Sequence, residues 1–403
     1  MNVFKKIYIR SFQGILYLAT FFLNFSEPQV IKGEKSFQEL CDLIKSKNKK
    51  KVLLVTDEGL HKLEMEKLLY NEFIKNNIDY CLFYNITANP TVLQVEEGLK
   101  VYNDNKCDCI VVIGGGSAMD AAKGISARAA NPKKEINKMK GLLKITHKLP
   151  LLIAIPTTAG TGSETTLAAV ISNPETKEKF PLEDPKLIPD YAVLNPTLLV
   201  NLPPHITSTT GMDALTHAIE AYIGNANTKK TKAYAIRATK LIFESLKESY
   251  DNPSNLIARE KMQQAAYDAG VAFTRAYVGY VHAIAHTLGG FYHVPHGLAN
   301  AIILPIVLKK YEGKVKNKLA ELYDEVNPFN EFDESKKASL FIQDIENLNQ
   351  ELKIVNNFSH LIKDEDIDLM VDRAYKEAIP LYPTPTLWDK NDFKEVFKIL
   401  QNN

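Results

Sequence analysis

The feature that most narrows the folds open to this chain is a change of hydrophobic period at Leu202-Pro203-Pro204. Before it, short β-rich runs alternate with helical patterns. Strand candidates lie at 52–57, 80–86, 109–114, 151–157 and 191–194, and helical patterns at 37–46, 60–75, 91–103 and 117–130. That alternation predicts a mostly parallel sheet with helices on both faces. After the proline pair the chain reads as long helices, at 228–249, 255–276, 281–292 and 298–311. The expectation is an α/β domain over 27–204 and an all-α domain over 205–403, with a cleft between them as a natural place for a ligand.

A chain of 403 residues is long enough to bury two ordinary cores. A net charge of +1 gives no steering toward nucleic acid. Cys41, Cys81, Cys107 and Cys109 offer no second pair for a zinc or disulfide framework, and a reducing cytoplasm fits them. Residues 1–26 stand apart as an apolar extension. Lys5, Lys6 and Arg10 precede an apolar run over 12–23, shorter than the roughly 20 residues that span a bilayer. Leu23-Asn24-Phe25 is too bulky for a signal-peptide cleavage site. The extension is expected to pack on the body, with weak membrane-surface contact as the alternative.

Val111-Val112-Ile113 runs into Gly114-Gly115-Gly116-Ser117 and then a helical pattern. A strand, three glycines and a helix start form a phosphate cradle: bare backbone N–H groups come close to a pyrophosphate, and the helix N-terminus adds positive potential. Met119 stands where a third fingerprint glycine would be, so the ordinary G-x-G-x-x-G pattern is absent. A plain strand-to-helix turn would look the same. Two features favour the ligand. Asp57 ends a strand, where a carboxylate accepts from an adenosine ribose and repels a 2′-phosphate. Thr157-Thr158-Ala159-Gly160-Thr161-Gly162-Ser163 leaves another strand as a hydroxyl- and glycine-rich loop.

Five of the nine histidines fall between His217 and His296. Asp213 and His217 are four apart on a helical pattern, as are His282 and His286, so each pair shares a face. Gly289-Gly290 is expected to break the second helix and Pro295 to precede a new one. A lone histidine is usually structural; a group of them with an aspartate among small apolar residues points to a metal. Nitrogen and oxygen donors suit Fe(II), Zn(II) or Mn(II), and no thiolate favours softer ions. Spacing alone does not choose the ligands, because His286 and His293 are as open as the others.

The segments GGGSAMDAAK, PTTAGTGSE, GMDALTHAIEAY and HAIAHTLGGFYHVPHGLANAIILP resemble the iron-containing (group III) alcohol dehydrogenases, and the similarity runs from about residue 27 to 397. The resemblance implies an α/β dinucleotide-binding N-terminal domain and a helical metal-binding C-terminal domain. It names Asp213, His217, His282 and His296 as metal ligands and leaves His286 beside the substrate as the catalytic histidine. It also gives Asp57 the ribose, Asn89 a place near the cofactor, Gly114, Gly115, Gly116 and Ser117 the pyrophosphate, Thr157 and Thr158 the cofactor cleft, and Lys179 a dinucleotide contact. The implied cofactors are NAD and Fe(II), with Zn(II) or Mn(II) as substitutes. The implied partners are an alcohol or aldehyde substrate and further copies of the chain, as a homodimer or larger. Residues 1–26 depart from the family pattern in length and apolarity.

The implied reaction is reversible hydride transfer between a primary or secondary alcohol and the nicotinamide ring. Three alternatives stand beside it: a zinc-dependent glycerol or polyol dehydrogenase on the same scaffold, a metallohydrolase whose glycine loop holds a substrate phosphate, and a membrane-associated binding protein.

Overall fold

The computed structural model describes residues 1–403 except Phe21, Asn24, Lys177, Asn356, Asn357 and Asn403. Phe21 belongs to the apolar run over 12–23 and Asn24 to the Leu23-Asn24-Phe25 triplet, so those two readings fall partly outside the described residues. The chain divides into two compact units, one of residues 24–202 and one of residues 1–23 with 203–403. Helix α1, Val3–Thr20, belongs to the second.

The α/β unit runs β1 (Gln29–Lys32), α2 (Ser36–Ser46), β2 (Lys51–Val55), α3 (Glu58–Lys62), α4 (Lys67–Lys75), β3 (Asp79–Phe83), α5 (Val92–Asp104), β4 (Cys109–Gly114), α6 (Gly116–Ala130), β5 (Gly141–Leu142), β6 (Leu151–Pro156), β7 (Ala168–Asn173), β8 (Glu178–Glu183) and β9 (Tyr191–Leu194). Six strands pair in parallel in the order β1-β9-β6-β4-β2-β3. Val52, Leu54, Val111, Ile113 and Ile153 fill one face; Leu53, Val55, Ile110, Val112, Leu152 and Ala154 fill the other. Burial on both faces is why these strands read as continuous apolar runs. From β2 the chain steps outward to β3, then returns to the other side of β2 for β4, β6 and β9. The order therefore reverses between β2 and β4, where such sheets open a crevice at the strands' carboxyl ends.

Two elements of the α/β unit differ from the sequence pattern. The helical pattern over 60–75 is two helices: Glu64 takes a left-handed φ of 55° and breaks it between α3 and α4. Residues 168–173 and 178–183, given no strands from sequence, pair antiparallel as β7 with β8, which joins β5 in a second sheet.

The helical unit holds α1 with α7 (Pro204–Ile223), α8 (Lys229–Asp251), α9 (Leu256–Ala276), α10 (Tyr280–Tyr292), α11 (His296–Tyr311), α12 (Lys316–Val326), α13 (Glu334–Glu351), α14 (Asp364–Ala378) and α15 (Lys390–Asn402). Pro204 opens α7 at a first-turn position, where its missing N–H costs nothing. From Gly211 to Ile223 α7 is buried on every side, so it is the central helix of this unit. The expected break at Gly289-Gly290 is not there. Helix α10 runs on to Tyr292 and stops at His293, left-handed at φ 55°, whose N–H donates to Gly289 O at 3.1 Å. Two helical glycines cost about 1 kcal/mol each, and the turn that continues past them places Phe291 against the Arg373 guanidinium and lets the Tyr292 hydroxyl donate to Asp366 Oδ2 at 2.7 Å.

Helix α1 turns Ile9, Gln13 and Thr20 inward. Arg10 donates to Thr384 O at 2.9 Å and Pro385 O at 3.1 Å, and Gln13 Nε2 to Pro380 O at 3.0 Å and Tyr382 O at 2.8 Å. Its outer face exposes Phe4, Ile7, Tyr8, Ile15 and Leu18. Among the described residues no helix is long and apolar enough to cross a membrane.

Candidate metal centre and cofactor loops

Helices α7, α10 and α11 bring four side chains to one point. Asp213, His217, His282 and His296 each offer a ligand atom, and these atoms all lie within 4.8 Å of one another. Asp213 and His217 come from adjacent turns of the buried α7; His217 stacks on Phe273 of α9, ring centroids 4.1 Å apart, and on His282 at 4.5 Å. His296 begins α11, where Gly297 lets the two helices touch: any side chain there would run into Thr209 O of α7. Asp213 Oδ1 is 3.4 Å from His296 Nε2 and 3.9 Å from His282 Nε2. His296 is half-buried and His286 exposed, so the centre meets solvent on their side.

The surroundings fit a cation. Burial, and then the neighbouring histidines, hold the His282 imidazolium well below its usual range, which keeps the neutral, metal-ligating form. Glu220 fixes its tautomer. That carboxylate accepts from the N–H of Gly279 and of Val281, both at 2.8 Å, and lies 2.6 Å from His282 Nδ1. With Nδ1–H committed, Nε2 is the lone-pair nitrogen facing Asp213. Burial pushes the Glu220 carboxyl up to about 7, against the hydrogen bonds from Gly279, Val281 and His282. Asn300 completes the picture. Its Nδ2 donates to Asp213 Oδ1 at 2.7 Å and lies 3.2 Å from His282 Nε2 and 3.1 Å from His296 Nε2, while its Oδ1 is buried without a partner. Three acceptors thus converge where an amide brings only two protons, a donor set that calls for a cation.

Among the open candidates, His293 lies outside this cluster, and so does His286, whose ring is 6.0 Å from that of His282. Sequence reasoning missed Glu220, Asn300 and Glu377, which lies 2.6 Å from His286 Nδ1. Glu220 had a signal: it follows Asp213 and His217 at helical positions i, i+4 and i+7.

In the α/β unit the cofactor candidates gather at the reversal between β2 and β4. Asp57 Oδ1 caps α3 by accepting from Leu60 N at 3.0 Å, and a Cβ at Gly114 would be 3.6 Å from its Oδ2. Gly115 precedes α6 with an ordinary φ of −85°, and nothing lies within 4 Å of where its Cβ would be. Neither backbone nor packing asks for glycine there, so the bare backbone leaves a cradle at a helix N-terminus, which suits a pyrophosphate. At Gly116 a Cβ would be 3.5 Å from Thr161 Cγ2, and Thr157 N donates to Gly114 O at 3.1 Å, so the second loop lies against the first. Thr158 follows, half-buried. Asn89, left-handed at φ 60°, sets its N–H 3.4 Å from Ser117 Oγ, and β8 brings Lys179 Nζ to Asn89 Oδ1 at 2.6 Å. The hairpin missed from sequence is therefore what carries Lys179 to these loops.

A buried amine ties them together. Lys123 of α6 donates to Ser163 O at 2.8 Å, Thr166 O at 2.9 Å, Thr166 Oγ1 at 2.7 Å and Ala168 O at 2.9 Å. Burial lowers its pKa to about 8, and burial raises that of neighbouring Glu164 to about 7.

Known proteins resemble this chain along both of its units. The family described as iron-containing alcohol dehydrogenase matches residues 27–196, and the C-terminal region of the Fe-containing alcohol dehydrogenase family matches residues 207–401. Alcohol dehydrogenase 4 of Saccharomyces cerevisiae is 37% identical over 91% of this chain and 95% of its own. The NAD-dependent methanol dehydrogenase of Bacillus methanolicus is 36% identical over 93% of this chain and 98% of its own. The solved alcohol dehydrogenase from Oenococcus oeni superposes with a TM-score of 0.89 at 34% identity, covering 94% of this chain and 99% of that one. Two family regions in order along one chain, and relatives matched over almost their full length, make the relationship one of descent: this chain belongs to the iron-containing alcohol dehydrogenases.

Proposed function

We propose that this oxidoreductase moves a hydride reversibly between a primary or secondary alcohol and NAD, with one divalent ion, iron in the first instance, on Asp213, His217, His282 and His296. The observation that carries the reading is the converging donor set of those four residues, with Glu220 fixing the His282 tautomer. When bound, the ion supplies Lewis acidity toward an alcohol or carbonyl oxygen, and the nicotinamide supplies the hydride chemistry. The chain does the rest. Asp57 takes the ribose hydroxyls, Gly114 to Ser117 the pyrophosphate, and Asn89, Thr157, Thr158 and Lys179 line the dinucleotide. His286, exposed and beside the quartet without belonging to it, accepts the hydroxyl proton. Metal analysis of anaerobically purified protein, then an alcohol and aldehyde panel with NAD and NADP, tests this. One ion per chain and NAD-linked turnover are expected; turnover undiminished after the ion is stripped would sink it. Zinc content with a preference for glycerol would instead select the polyol enzyme on the same scaffold.

The enzyme works in the cytoplasm as a homodimer or larger assembly, which a molar-mass measurement in solution checks. The outer face of α1, with Phe4, Ile7, Ile15 and Leu18 exposed, Lys5 and Lys6 beside them and no acidic residue in the helix, rests weakly on anionic lipid. Flotation with vesicles containing phosphatidylserine, and loss of flotation in Ile7→Ser/Leu18→Ser, tests that contact. If the double substitution instead lowers the molar mass, a second copy covers the face.

A further inference from the structure

His286 lies one turn beyond His282 on α10, with its ring stacked on that of His296 at 5.1 Å and 16°. Its Nδ1 is 2.6 Å from Glu377 Oε1, and the Tyr382 hydroxyl donates to the same oxygen at 2.8 Å. Tyr382 is itself tied down: its N–H donates to Ala378 O at 2.8 Å, and its carbonyl accepts from Gln13 of α1 at 2.8 Å. Glu377 stands next to the last residue of α14, where the helix dipole disfavours a carboxylate. A residue that breaks a local rule while two side chains hold it in place is a sign of function.

We propose that Glu377 is a positioning residue for proton removal: it holds His286 as the Nδ1–H tautomer, so that Nε2, on the opposite edge of the ring, receives the substrate's hydroxyl proton. This rests on the assignment of His286 as proton acceptor. In the oxidation direction the C–H hydride passes to the nicotinamide, the C–O bond becomes C=O, and the O–H proton goes to Nε2. The Nδ1 proton stays where it is. The Glu377 carboxylate then faces an imidazolium, whose charge it stabilises until the exposed ring passes the proton to water. The competing account is a surface ion pair of the ordinary kind, worth about 0–1 kcal/mol and nothing to the reaction.

Four variants separate the accounts: Glu377→Ala, Glu377→Gln, His286→Ala and the double His286→Ala/Glu377→Ala. Nitrogen-15 NMR of the metal-free protein reads the His286 tautomer, independent of turnover. The expected result is a single Nδ1–H form in the unmodified protein and in Glu377→Gln, whose amide oxygen still accepts, and a tautomer mixture in Glu377→Ala. Single-turnover hydride transfer in Glu377→Ala should slow about 10- to 100-fold, with metal content and NAD KM unchanged and partial recovery in Glu377→Gln. The double variant should be no slower than His286→Ala, because Glu377 acts through that ring. If His286→Ala is slow while Glu377→Ala stays within about twofold of the unmodified rate, or if its tautomer is unmoved, the role of Glu377 is overturned and that of His286 stands. If His286→Ala itself turns over at the unmodified rate, the assignment of His286 falls, and the role of Glu377 with it.

Discussion

Asp57 caps α3 with Oδ1 while Oδ2 lies toward Gly114, so the proposed function gives one carboxylate two tasks. The two tasks separate on substitution. Asp57→Gly should cost only about 0.3 kcal/mol of stability, since glycine is a tolerable N-cap, yet on the proposed function it removes the charge that would repel a 2′-phosphate. The kcat/KM ratio of NAD over NADP should therefore fall by at least about tenfold with the melting temperature nearly unmoved. A ratio that stays put would leave Asp57 a cap and nothing more. Glu220 gives a second test. Glu220→Ala removes both carboxylate oxygens, so the N–H groups of Gly279 and Val281 and Nδ1 of His282 lose their acceptor, His282 loses its fixed orientation, and affinity for a titrated divalent ion should drop about 10- to 100-fold. Equal affinity in the two proteins would remove Glu220 from the centre. These residues differ in how legible they were. Asp213, His217 and Glu220 share one helix face and are readable as a period. Glu377 is 91 positions from His286, and no local pattern joins residues that only the packing of α14 against α10 brings together.

At the scale of elements, the central strands were legible because both their faces are buried: β4 and β9 span the residues read from sequence, and β2 and β6 differ only at their ends. β3, at one edge, was legible from its run Tyr-Cys-Leu-Phe although it is only partly buried. The other edge was not. β1 is four residues of Gln-Val-Ile-Lys, mostly exposed, with no apolar period to betray it. The β7–β8 hairpin is similarly masked, with Lys179 and Glu178 exposed in one arm and Pro181 inside it. Yet that hairpin follows the loop that Lys123 holds. Lys123→Met would take the ammonium from Ser163 O, Thr166 O, Thr166 Oγ1 and Ala168 O and leave Glu164 without its cation, a loss of about 3–5 kcal/mol by comparison with other broken buried pairs. Urea midpoints measure it; a shift equivalent to less than about 1 kcal/mol would mean that water replaces the amine. The same cluster sets a pH trend. Because burial raises Glu164 from 4.5 to about 7, the folded chain binds more protons than the unfolded one between those values, so this group's share of stability falls as pH rises through them. Glu164→Gln should flatten that part of the stability–pH curve. An unchanged slope would show that Glu164 is ionised in the fold throughout.

At the scale of the whole molecule, the chain begins in the helical unit, leaves it for residues 24–202 and returns. Deleting residues 1–20 would expose the carbonyls of Pro380, Tyr382, Thr384 and Pro385 that Arg10 and Gln13 now satisfy, and with them the support of Tyr382. We expect the melting temperature to fall by several degrees and turnover with it, while NAD affinity, a property of the α/β unit, is kept. Retained activity and melting temperature would show that α1 is an attachment and not a part of that unit. The same hydrogen bonds impose an order on biosynthesis. Arg10 and its acceptor Thr384 are 374 positions apart, so at about 5–20 residues per second α1 waits about 20–70 s after it is made before its acceptors exist. Throughout that interval Phe4, Ile7, Ile15 and Leu18 are joined by Ile9, whose burial comes only at the end. The α/β sheet can close while the ribosome is still at work. The helical unit cannot close around α1 until residues 380–385 have emerged, so the apolar faces of that helix stay open to other contacts for the whole of that time.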